Sequence, residues 1–158
     1  MFVSQIDFKD QQGLEAMVSD DFSDWSKPVT ITQQMINDFA ELSGDDFWIH
    51  VDIERCATES PFKSTIAHGF LILSLISRMP CGINIVDGVT GYNHMLNYGS
   101  DKLRFLNAVP VDSDIHARCR VADVSVSEHK TKVTTEIHVH VVGQDRPALV
   151  VELAFVFM

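Results

Sequence analysis

The segment Ser43-Gly44-Asp45-Asp46-Phe47-Trp48-Ile49-His50 sets a carboxylate and an imidazole five positions apart, directly after a helix-ending glycine. A loop leaving a helix can curl so that two such side chains converge on one point, which a straight strand does not allow. Asp45 and His50 sharing a water would form an acid/base pair, because their unperturbed pKa values bracket mildly acidic to neutral pH. Phe47 and Trp48 can pack over the pair and limit access of solvent. The same spacing also suits an aspartate capping local backbone and a histidine bonded to a neighbouring loop.

A second candidate follows in Thr65-Ile66-Ala67-His68-Gly69-Phe70. Gly69 opens a predicted helix, whose first N–H groups lack intrahelical partners and carry partial positive charge. A glycine there lets a carbonyl approach the backbone closely, and a developing oxyanion would be stabilised, by about 3 kcal/mol in a dry site. Gly69 would also serve a helix that simply packs tightly on a sheet.

The elements that must hold these groups can be read from the pattern. Lys27–Ile31 alternates as a short strand. Thr32 is a plausible N-cap for a helix carrying Met35, Ile36, Phe39, Ala40 and Leu42, with Gly44 at its end. Asp52 can cap a short helix through about Ala57, and Ser60-Pro61 then forces an extended path. From Gly69 to Met79 nearly every position is apolar or small, with Pro80 and Gly82 closing the segment. A helix apolar on almost all sides is expected to be buried. The second half changes to strand period, with strands near Tyr92–Tyr98, Asp101–Leu106, Asp114–Val126, Lys132–Val141 and Leu149–Phe157. Strands joined without helical crossovers imply an antiparallel sheet, and the whole reads as an α+β fold of about five strands wrapped around one buried helix. In residues 1–27 one helical turn near Leu14–Val18 and a loop at Asp20–Trp25 are the only features expected.

A chain of 158 residues fits one domain, residues 1–158, with a sizeable core. Its formal net charge of -10 argues against a general nucleic-acid partner. The longest apolar runs fall far short of the roughly 20 residues that span a bilayer, so no membrane partner is expected. The N-terminus lacks a signal-peptide pattern. Three cysteines, Cys56, Cys81 and Cys119, show no metal spacing and fit a reducing compartment, which together suggest a cytoplasmic protein.

The run from Phe39 to Asp52, followed by Pro61-Phe62 and by Thr65-Ile66-Ala67-His68-Gly69-Phe70-Leu71 with Ser74, resembles the two-part signature of MaoC-like (R)-specific enoyl-CoA hydratases, which are hotdog-fold proteins. Asn97-Tyr98-Gly99 and Leu103-Arg104-Phe105 fall where that family's next strands begin, and the Trp48-Ile49-His50 version is closest to nodulation protein N-like members. The resemblance covers roughly residues 28–157. It implies that Asp45 and His50 hold a water against the double bond of a trans-2-enoyl-CoA, giving an (R)-3-hydroxyacyl-CoA. It further implies that His68 and Gly69 lie at the thioester oxygen, and that Ser77, or alternatively Ser74, occupies the position of an active-site serine. It implies a homodimer, no metal, and no cofactor beyond the CoA carried by the substrate. Phe47-Trp48 replaces an Asn-Pro found in many members and Lys63-Ser64 a Gly-Gly, changes that bear on acyl-chain preference and on the pocket entrance. The alternatives are a non-catalytic acyl-CoA-binding protein and a thioesterase, the latter disfavoured because no carboxylate lies between Gly69 and Met79.

Among the remaining polar residues, His138 and His140 are expected opposite the apolar face of their strand, without the ligands of a metal site. His94, His116 and His129 read as strand or turn residues. Lys102, Arg104, Arg118 and Arg120 read as solvated strand positions, with a contact to CoA phosphate as the alternative.

Overall fold

The computed structural model describes residues 5–81 and 88–158, and the expected helix stop at Gly82 lies outside them. The elements are β1 (Ile6–Asp7), α1 (Gln11–Glu15), β2 (Val29–Thr30), α2 (Gln33–Ser43), α3 (Trp48–Val51), α4 (Ile53–Glu59), α5 (Gly69–Ser74), β3 (Val89–Thr90), β4 (Met95–Phe105), β5 (Asp114–Val126), β6 (Thr131–Val141) and β7 (Leu149–Phe157). Five strands form one antiparallel sheet in the order β2-β5-β6-β7-β4, and β1 pairs separately with β3. This curled sheet against a short central helix is the expected hotdog arrangement.

Strand alternation builds the core. Ile115, Ala117 and Cys119 of β5, Ile137, Val139 and Val141 of β6, and Leu149 and Val151 of β7 turn inward. They pack with Leu71, Ile72, Leu75 and Met79 of the central segment and with Ile36 of α2. Burying side chains of this size stabilises by roughly 1.5–3 kcal/mol each. A second cluster of Phe8, Leu14, Val89, Val121, Val133 and Phe157 closes the end of the sheet nearer the N-terminus.

The central helix differs from expectation in length and in burial. It is α-helical only over Gly69–Ser74 and tightens to a 3₁₀ turn over Leu75–Arg78. Ser74 Oγ donates to Phe70 O (2.8 Å) and Ser77 Oγ to Ser74 O (3.2 Å), hydroxyls bonded to their own helix rather than to a neighbour. Phe70, Ser74 and Ser77 form an exposed face, so the helix is buried on one side only.

Two expected strands are one. Tyr92–Tyr98 and Asp101–Leu106 correspond to β4, whose register against β7 shifts between Asn97 and Gly99 and again between Asp101 and Arg104. Lys102 takes φ +52° inside the second irregularity, and such bulges locally break the alternation by which a strand is recognised. The first helix also lies earlier than the sequence suggests, at Gln11–Glu15, with Asp10 accepting from Gly13 N. Leu42, placed on the apolar stripe of α2 by spacing, is 84% exposed at that helix's end.

Candidate active site

Local chemistry fixes the loop that carries Asp45 and His50. Thr32 Oγ1 caps α2 by accepting from Met35 N, and Gly44 ends it at φ +77° with its N–H on Ala40 O. Ser43 Oγ donates to Phe39 O and accepts from Asp45 N, which aims the aspartate out of the helix. One turn, α3, then carries His50. Asp52 ends that turn and caps α4 by accepting from Arg55 N (2.9 Å). Arg55 lies over the Trp48 ring at 4.3 Å, so Trp48 packs on α4.

The second segment runs alongside the first. Ile66 N donates to Ile49 O and Ala67 N to Val109 O, locking Thr65–Ala67 between the His50 turn and the 107–111 loop. His50 Nδ1–H donates to Ile66 O at 2.7 Å, with the ring proton assigned from that carbonyl partner. This leaves the Nε2 lone pair available. Gln33 ties the assembly together: its Nε2 donates to His50 O, and its Oε1 accepts from Thr65 Oγ1. Nothing in the sequence marks Gln33, since a glutamine in the first turn of a helix carries no pattern of its own.

His68 faces the loop that carries Asp45. It is 2% exposed, its Nε2–H donates to the backbone carbonyl of Asp45 at 2.8 Å, and its ring stacks on His50 with centroids 3.8 Å apart. Phe39 of α2 packs against it at 5.0 Å. Donor atoms of Asp45, His50 and His68 all lie within 4.8 Å of one another. That distance would admit a metal ion. The two imidazoles, however, lie 24° from parallel in stacked planes. An ion in the plane of one ring therefore sits off the plane of the other, a poor match to tetrahedral coordination.

Burial holds the His50 imidazole below its ordinary pKa, and His68 adds to that. The Ile66 carbonyl and Asp45 pull the other way without cancelling it. At neutral pH the ring is therefore a neutral base.

Gly69 is the first residue of α5 and, with His50, lines a cavity of about 300 Å³ whose other walls include Ile72, Phe105, Asn107 and Leu149. A Cβ at Gly69 would stand 2.7 Å from the Phe105 ring, so glycine keeps this approach open. Ser74 and Ser77 are not brought to this cavity. They line a second, larger one of about 740 Å³ beyond the helix, with Tyr98, Cys81, Cys119 and Ile137 among its walls.

Among the other polar residues, Arg118 and Arg120 are less solvated than expected and His140 is buried, while Lys102 and Arg104 are exposed as expected. Residues 19–26 form a strap over the outer face of β5 and β6: Trp25 stacks on His116 at 3.9 Å, Phe22 packs on His138, and Arg118 lies over both Phe22 and Trp25. His140 is 4% exposed beneath Trp25. Arg120 bonds Glu136, Asp20 and Ser19 O, and Lys102 bonds Glu152 at 2.6 Å. His129 stays exposed, and Lys63 Nζ donates to Thr58 O.

A family model described as a MaoC like domain matches residues 19–142, taking in both halves of the site. The chain is 42% identical over 131 residues to 3-hydroxyacyl-thioester dehydratase Z of Mycobacterium tuberculosis, covering 82% of each protein. It is 39% identical over 132 residues to nodulation protein N of Rhizobium meliloti, covering 78% of this chain and 76% of that one. Among solved structures, the unliganded R-hydratase of Pseudomonas aeruginosa superposes with a TM-score of 0.62 at 24% identity, over 85% of this chain and 80% of that one.

Proposed function

The chain belongs to the MaoC-like dehydratase family, and from that premise we propose that it interconverts trans-2-enoyl and (R)-3-hydroxyacyl thioesters, with CoA as the carrier. The observation that carries this reading is the approach of Asp45 to a neutral, carbonyl-anchored His50 on the wall of the cavity that Gly69 opens.

Hydration then follows from the groups available. A water held by Asp45 and His50 loses a proton to the pair as its oxygen bonds to C3 of the enoyl thioester. The electron pair displaced from the double bond moves onto the thioester oxygen, where the Gly69 N–H, first in its helix and without an intrahelical partner, stabilises the charge. The pair returns a proton to C2, so the atoms of one water are added and the pair ends as it began. Dehydration is the same path reversed. His50 is suited to the base role because burial keeps it neutral.

The reading is tested with crotonyl-CoA and longer or branched enoyl-CoAs. The enoyl absorbance should decay on adding protein, and the product should be the (R) alcohol. Absence of turnover across all of these, and across the matching carrier-protein thioesters, overturns the hydratase assignment and leaves a binding protein. Asp45→Asn and His50→Gln should each lower kcat by about 10²-fold or more, the range general acid–base groups supply, with the circular dichroism spectrum unchanged.

A homodimer accompanies this reading. Phe70, Leu96, Tyr98 and Phe105 leave apolar surface exposed on α5 and on the edge strand β4. A partner seated there would cover this surface. Light scattering should return twice the chain mass; a monomer rejects the assembly without touching the chemistry.

A further inference from the structure

We propose that His68 is a positioning residue that sets the Asp45 carboxylate against His50, through its bond to the Asp45 backbone carbonyl and its stack on the His50 ring. The inference rests on the hydratase reading for its meaning but on geometry for its argument. Asp45 is exposed and follows Gly44, whose left-handed conformation turns the chain out of α2. The Ser43 hydroxyl holds only the Asp45 N–H, at 3.3 Å. The carbonyl on the other side of the same residue is held by His68 Nε2–H at 2.8 Å. With both ends of Asp45 fixed, its carboxylate has only side-chain rotations left.

His68 can serve as that anchor because it is itself immobile. Its ring is buried and packs against both Phe39 and His50, and it stands at the residue preceding α5. The bond requires the proton on Nε2, since a carbonyl can only accept. Nδ1 then carries a buried lone pair with no hydrogen-bond partner among the described residues, an arrangement that costs free energy and that a hydrocarbon side chain would avoid. A buried imidazole kept at that cost, with its one useful proton on the backbone of the aspartate, is accounted for by the geometry it imposes. The His50 turn and the His-Gly segment are thus joined by two crossed bonds, His50 to Ile66 and His68 to Asp45. Neither half of the site can shift without the other.

The test separates anchoring from packing. His68→Gln places an amide N–H near the Nε2 position, whereas His68→Phe keeps a stacked ring and removes the donor. Turnover of crotonyl-CoA should remain within about threefold of wild type in His68→Gln and fall at least tenfold in His68→Phe with KM changed much less, a difference of about 1.4 kcal/mol in barrier. Equal activity of the two variants overturns the proposal. A second measurement needs no substrate: the His50 imidazole is titrated by NMR with and without Asp45→Asn. Removing the Asp45 charge should lower the His50 midpoint in wild type and in His68→Gln, and the lowering should vanish in His68→Phe, where the carboxylate is no longer held nearby. Persistence of the full shift in folded His68→Phe refutes the anchor. Loss of the shift together with absence of turnover in wild type would reject the hydratase reading and leave the anchor standing.

Discussion

A methyl group at position 69 would meet the Phe105 ring at 2.7 Å, so Gly69→Ala tests how far the cavity mouth can yield. Phe105 must swing, which reshapes the cavity it lines with His50, or α5 must shift, which moves the first helix N–H relative to His50. We expect kcat to fall at least tenfold and unfolding stability to drop by roughly 1–3 kcal/mol, as for overpacking elsewhere, read by enoyl turnover and by urea denaturation. The pH profile belongs to this scale too. If His50 is the base of the proposed reaction it acts unprotonated, and burial lowers its pKa, so activity should persist below the ordinary histidine range and fall on the acid side as the ring protonates. Asp45, His50 and Gly69 stand out in the sequence through the two-part motif that carries them, since the spacing of Asp45 and His50 alone suits a local cap equally well. The contacts of His68 are not legible there, because they depend on which ring nitrogen finds a carbonyl 23 positions away. Nor is there any sign of Gln33, since an amide bridging two backbone segments leaves no periodic trace.

The elements were legible wherever capping or alternation is local. Thr32, Gly44 and Asp52 sit at the helix boundaries their chemistry predicts, and β5, β6 and β7 follow their alternation closely. The strap has the sequence of a loop because its bonding is long-range. Ser23 and Ser26 each donate a backbone N–H to β5 and accept a β5 N–H on the side-chain oxygen, imitating a paired strand with one residue in three or four. Ser26→Ala should therefore leave the buried Ala117 N–H without its acceptor and destabilise the fold by about 1–3 kcal/mol, measured by chemical denaturation, with enoyl turnover per folded molecule unaltered. A cost below 0.5 kcal/mol, the usual bound for an inconsequential surface change, would show that the strap is only loosely applied.

For the whole molecule, His116 and His140 under the strap and His50 at the site act in one direction. Burial lowers the His116 pKa, with His140 and Arg118 adding to it; burial and then Arg118 and His138 lower that of His140 against the pull of the Gln144 carbonyl and Asp145. With His50, three imidazoles are thus less basic in the folded chain than in the unfolded one. Between the folded values and the unfolded value of about 6.5 the unfolded chain binds more protons, so stability rises with pH there and is lost as pH falls below about 6.5. Thermal unfolding at pH 7.5 and 5.5 should show the lower midpoint at 5.5, and replacing His116 and His140 by Gln should shrink the difference. The strap has one more consequence, for how copies of the chain can add to each other. It occupies the flank of β5 beyond β2, while β4 at the opposite margin of the five-stranded sheet pairs on its outer side with no strand among the described residues. A margin of that kind can be joined once, by a twofold operation that consumes it on both copies. Such a joint closes the margin to further addition, where a head-to-tail contact would leave one open for a fibre to grow.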